Sequence, residues 1–107
     1  MKKKISDALS LLRKHGFTVI NNNYNHRFGK AMAGFVDYVI YDYLTVYFIE
    51  VKIGKDKFSE EQEITKKKLS SIAENNNGVV YLIIPDDTKA KQFVDDLVTT
   101  KVVRYGE

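Results

Sequence analysis

Three residues carry the most specific chemical signal in the chain: Asp37, Glu50 and Lys52. They sit in two segments, 35–41 and 45–53, that are rich in β-branched and aromatic residues and read as strands. Asp42-Tyr43-Leu44 lies between them as a turn. Side chains alternate faces along a strand. A turn centred on Tyr43-Leu44 therefore sets Asp37 opposite Glu50 on one side of the hairpin, with Lys52 two residues further along that face. Directly opposed side chains have Cβ atoms about 5 Å apart, and two like charges there repel. A divalent cation between the carboxylates removes that penalty and keeps both ionised. Hard oxygen donors suit Mg²⁺, with Mn²⁺ as a substitute. A lysine beside such a cation is a workable arrangement for phosphodiester hydrolysis.

Blander readings compete. A Glu-x-Lys on a strand is usually a solvated face, and an isolated match is weak. Tyr43-Leu44 is a poor type I′ turn. An odd-length loop without a bulge would place the two acids on opposite faces.

The elements that must position these residues follow from periodicity. Ile5, Ala8, Leu9 and Leu12 mark an amphipathic helix over 5–15, which Gly16 stops. A strand is expected at 17–20. Residues 21–33 form a long polar loop of the kind that often carries function. Ser59 and Gln62 spell a capping box at the start of a helix reaching about residue 75. The apolar run 79–84 reads as a buried central strand. Pro85-Asp86-Asp87 opens a last helix through Ala90, Phe93, Val94 and Leu97, and 101–105 suggests a short edge strand. The order α-β-β-β-α-β-α-β is an α/β arrangement, a mixed sheet with helices on its faces.

Gly34-Phe35-Val36-Asp37, then Glu50-Val51-Lys52, then Ser59-x-x-Gln62 resembles the VRR-NUC domain, a branch of the PD-(D/E)XK nuclease superfamily. The resemblance covers roughly residues 5–85 and implies a restriction-endonuclease-like fold. It also implies roles. Asp37, Glu50 and the main-chain carbonyl of Val51 would ligate the metal. Lys52 would activate water or stabilise developing charge, and Gln62 would support the site. Gln62 has an equally good explanation as the reciprocal partner in the capping box. Relatives carry a Glu near the start of the first helix. Here Asp7 is the only acid available, which leaves open one metal or two.

The resemblance implies a Mg²⁺-dependent DNA endonuclease, structure-selective on branched DNA such as Holliday junctions and working as a homodimer. A non-catalytic nuclease-fold module that binds nucleic acid or a protein is the alternative. His26, Arg27, Lys30, Lys55 and Lys57 are the expected nucleic-acid contacts, each with the ordinary alternative of a solvated surface. Tyr38, Tyr41, Tyr43 and Tyr47 crowd the hairpin and suggest an interface.

Composition sets the bounds. The 107 residues suggest one domain, 1–107. The net charge of +3 only mildly favours a polyanionic partner. Without cysteine there are no disulfides or thiolate metal sites, which fits a cytoplasmic location. The longest apolar run is too short to span a bilayer, and no apolar stretch follows Lys2-Lys3-Lys4 to make a signal peptide.

Overall fold

The computed structural model describes residues 1–22 and 34–104. Helix α1 spans Lys2–Ser10 and tightens into a 3₁₀ turn, Leu11–His15. Gly16 ends it with φ 86°, the left-handed conformation that glycine adopts without penalty. The Arg13 guanidinium donates to the Val19 carbonyl at 2.8 Å and ties this turn to the next strand.

Strands β1 (Thr18–Asn21), β2 (Tyr38–Tyr41) and β3 (Val46–Val51) form an antiparallel meander. Helix α2 (Glu60–Asn75) crosses to β4 (Val79–Ile84), which pairs parallel to β3. Helix α3 (Asp87–Arg104) follows. The sheet order is β1-β2-β3-β4.

Alternation along the strands divides the interior. Val19, Tyr38, Ile40, Tyr47, Ile49, Val51 and Ile84 join Ile5, Leu9 and Leu12 of the N-terminal helical segment and Ala90, Phe93, Val94 and Leu97 of α3 in one core. The other parity, including Phe48, Glu50 and Tyr81, faces the side where α2 lies over β4.

The hairpin register matches the expectation from the turn: Tyr41 pairs with Val46, Val39 with Phe48 and Tyr38 with Ile49. No non-glycine residue among those described has a positive φ, so this is not a type I′ turn. Asp42 replaces the glycine solution. Its Oδ1 accepts from the Leu44 and Thr45 N–H groups at 2.9 and 3.0 Å, and its own N–H donates to the Thr45 carbonyl at 3.2 Å. An Asx-type side chain can brace a turn in this way.

Three expectations need correction. Residues 101–104 continue α3 instead of forming an edge strand, so the order ends α-β-α. Val102-Val103 favours a strand locally, but extending a helix already formed costs far less than nucleating a new element. Second, β4 lies at the edge of the described sheet and only Ile84 in it is fully buried. Its apolar run reflects helices on both faces, not strands on both sides. Third, the tyrosines do not all crowd a surface. Tyr38 and Tyr47 are buried, Tyr47 meeting Phe93 edge-to-face at 5.5 Å, while Tyr43 is 95% exposed.

Candidate active site

The chemistry-bearing residues collect where β2 begins and β3 ends. Tyr38 is the ladder partner of Ile49, yet the Asp37 N–H also donates to the Ile49 carbonyl, at 3.0 Å. Two residues thus face one, which is the signature of a β-bulge. The Asp37 carbonyl is fixed from the other side by the Asn22 N–H at 2.8 Å, and the Asn22 side chain holds the Val36 carbonyl at 3.1 Å. Asp37 therefore does not sit squarely opposite Glu50 as a continued ladder would place it. The bulge re-aims its carboxylate across the end of β3, where Oδ2 accepts from the Val51 N–H at 2.7 Å.

Gly34 sets the approach to this bulge. Its φ is 76°, and a Cβ built there would lie 2.7 Å from Cβ of Glu61 in the first turn of α2. Gly34→Ala would meet the left-handed penalty of roughly 1–2 kcal/mol and an overpacking cost of roughly 1–3 kcal/mol. The expected loss in urea unfolding is about 2–5 kcal/mol. A loss well under 1 kcal/mol would mean that the segment simply relaxes away from α2.

Glu50 is the only charged residue fully buried among those described. Its Oε1 receives a hydrogen bond from Nε2 of Gln62 at 3.4 Å, and its Oε2 is buried with no hydrogen-bond partner. Burial pushes its pKa up to about 8, the neighbouring Asp37 carboxylate adds to the rise, and Lys52 opposes it. A carboxylate this deep is normally paired or bound to a cation.

Lys52 emerges just beyond β3. Its ammonium donates to Oε1 of Gln62 at 2.8 Å and to the Lys57 carbonyl at 3.1 Å, and it lies 4.7 Å from the centre of the Phe58 ring. Gln62 thereby joins Glu50 to Lys52. The capping box is also complete, because the Gln62 Oε1 accepts from the Ser59 N–H at 3.0 Å and Ser59 Oγ accepts from the Gln62 N–H at 3.1 Å. The cap and the bridge are compatible: the same capped side chain hydrogen-bonds both Glu50 and Lys52.

Lys55 and Lys57 are exposed on the loop between β3 and α2. His26, Arg27 and Lys30 lie outside the described residues. Asp7 is on α1, ion-paired with Lys3 at 3.1 Å. Among the described residues no three His, Cys, Asp or Glu gather as a metal-binding group. Tyr81 went unnoticed in the sequence. It pairs with Phe48, its hydroxyl is buried without a hydrogen-bond partner, and burial followed by the charges of Glu50 and Glu63 raises its pKa. Face parity along β4 relative to Glu50 was the available signal.

A family model, that of the uncharacterised protein family UPF0102, matches residues 6–98. The chain belongs to this family. UPF0102 is a member of the PD-(D/E)XK nuclease-like superfamily, so the superfamily implied by the motifs is the right one, while the match does not extend to VRR-NUC in particular. The mixed sheet and its helices in this UPF0102 chain are consistent with a restriction-endonuclease-like fold. The matched stretch contains Asp37, Glu50, Lys52 and Gln62. No curated protein and no solved structure matches the chain. No described helix is long and apolar enough to cross a membrane.

Proposed function

We propose that this UPF0102 chain is a divalent-metal-dependent endonuclease that hydrolyses phosphodiester bonds in DNA. The observation that carries the reading is the buried Glu50 carboxylate, with Oε2 unpartnered beside Asp37 and with Lys52 tethered through Gln62. The donor set fits Mg²⁺ or Mn²⁺: two carboxylates offer hard oxygens, and one buried oxygen has no other partner. Asp37 and Glu50 would hold the ion, with the Val51 carbonyl as a further oxygen. When bound, the ion would offset the charge of both acids and supply Lewis-acid stabilisation to a phosphoryl oxygen.

The remaining work falls to the chain itself. Asp37 is held in place by the Val51 N–H, and Glu50 by Gln62. Lys52 keeps its ammonium at a fixed position, where it would orient the attacking water and stabilise negative charge developing on phosphate. Gln62 supports both by accepting from one and donating to the other. The VRR-NUC-like motif order supports extending the reading to branched DNA. Cleavage of linear, flapped and four-way DNAs with Mg²⁺, Mn²⁺ or EDTA tests it. Metal-dependent cutting is the expected result, and no cutting of any substrate would defeat the reading.

The second reading, a nuclease-fold module that binds without cutting, draws on a specific feature. Asp7 is engaged with Lys3, and the described residues gather no third acid with Asp37 and Glu50.

A homodimer would set two such centres at a fixed separation. Its support is the exposed hairpin tip, where Tyr43 and Leu44 are 95% and 53% exposed beside the half-exposed Tyr41. Light scattering at micromolar concentration should give twice the 12.3 kDa of one chain. A monomer mass with full cleavage activity would exclude the dimer.

A further inference from the structure

On the α1 side of the sheet, a cleft of about 490 Å³ opens against Asp37. Among the described residues it is lined by Lys2, Lys3 and Ser6 of α1, by Asn21 at the end of β1, and by Asp37, Tyr38 and Val51. The volume falls within the range of ordinary ligand sites, roughly 300–1,000 Å³. Its charges are ordered. Three lysines and no acid occupy the first turn of α1, Lys2 and Lys3 among them line the cleft, and so does the candidate metal ligand Asp37. Asp7, also on the wall, holds Lys3 only through an exposed pair, a weak interaction that a phosphate can displace. A ligand suited to this arrangement carries anionic groups at repeated spacing, one for the acid-bound cation and others for the lysines. It also needs polar sugar edges to meet Ser6 and Asn21.

We propose that this cleft seats one polynucleotide strand, with Lys2 and Lys3 contacting phosphates that flank the one presented at Asp37. The proposal rests on the nuclease reading for its ligand class, but its contacts are binding contacts and are measured without cleavage. Neither lysine belongs to the Asp37-Glu50-Lys52-Gln62 set.

The test is fluorescence anisotropy with labelled single-stranded DNA and RNA of about twenty nucleotides, long enough to span an ordinary single-strand site. Ca²⁺ replaces Mg²⁺, and salt is varied. For the Lys2→Ala/Lys3→Ala variant, Kd should rise about tenfold, and the slope of log K against log salt should fall by about 1.4, or ~0.7 per lost phosphate contact. Asp7→Asn should tighten binding by about threefold, since it frees Lys3 and removes an acid from the wall. Lys67→Ala/Lys68→Ala, on the exposed face of α2, should leave binding unchanged. A stronger effect with RNA than with DNA would assign the strand as RNA, because the 2′-hydroxyl adds a polar group to the sugar edge. The proposal fails if wild type binds neither strand, if the α1 lysine variant binds like wild type, or if the α2 variant weakens equally. Binding that follows the expected pattern without any cleavage in Mg²⁺ would remove the nuclease reading and leave the cleft assignment standing.

Discussion

Asp37→Asn is expected to abolish cleavage, by about a thousandfold or more, in a protein that remains folded. The two halves of that result have separate causes. Asparagine keeps a carbonyl oxygen that can accept from the Val51 N–H, so the bond that closes the end of β3 survives. The bulge also survives, because it is built from main-chain groups of Asp37, Asn22 and Ile49. What disappears is a formal charge beside the buried Glu50. Above about pH 8, where Glu50 is ionised as well, metal-free stability should therefore be unchanged or raised by up to ~1 kcal/mol, since a carboxylate–carboxylate repulsion is removed. In the proposed reaction cleavage depends on both charges holding the cation, and it should be lost. A loss of several kcal/mol in the metal-free protein would make Asp37 a structural residue. Cleavage at the wild-type rate would remove it from the catalytic set.

The geometry around Asp37 also shows where sequence reasoning succeeds and where it stops. The pairing of β2 with β3 could be read from the chain because it depends on a local turn, and Asp42 lies inside that turn. The bulge could not be read. It is made by the Ile49 carbonyl on one side and Asn22 on the other, and Asn22 is distant in sequence. Simple strand alternation therefore placed Asp37 near the correct partner but by the wrong geometry. Gln62 could be read in two ways, as a cap and as a candidate support for Glu50 and Lys52. Only the three-dimensional placement of α2 against β3 shows one side chain closing the capping box and also bonding Glu50 and Lys52. The burial of Tyr38 and Tyr47 was hidden for the same reason, since the cover comes from helices at the two ends of the chain. The helix continuing through residues 101–104 reflects tertiary and cooperative effects overriding a local strand preference. Tyr81 was overlooked because an apolar strand conceals its one polar atom until the facing strand is known.

Divalent cation is expected to raise the melting temperature of the wild type and to leave Glu50→Gln unmoved. The argument starts from the raised pKa of Glu50, which goes from 4.5 in an ordinary setting to about 8 in the folded chain. Burial is the main cause and Asp37 the next, with Lys52 opposing and Tyr81 and Glu63 on the same side of the sheet. The folded state thus holds the proton more tightly than the unfolded state. The contribution of Glu50 to metal-free stability should be greatest below about pH 4.5, fall as pH rises from there to about 8, and level off above it. In Glu50→Gln this decline should vanish, because no proton is lost at that position. A cation competes with the same proton, so its effect on the wild type should grow between pH 6 and pH 8. Saturation at about a hundredfold excess over Kd adds about 2.7 kcal/mol, roughly 10–20 °C in Tm for a chain of this size. Melts with and without millimolar Mn²⁺ at several pH values, run on both proteins, give the comparison. Equal shifts in the two proteins would place the ion elsewhere, and no shift in either would remove the metal from the site.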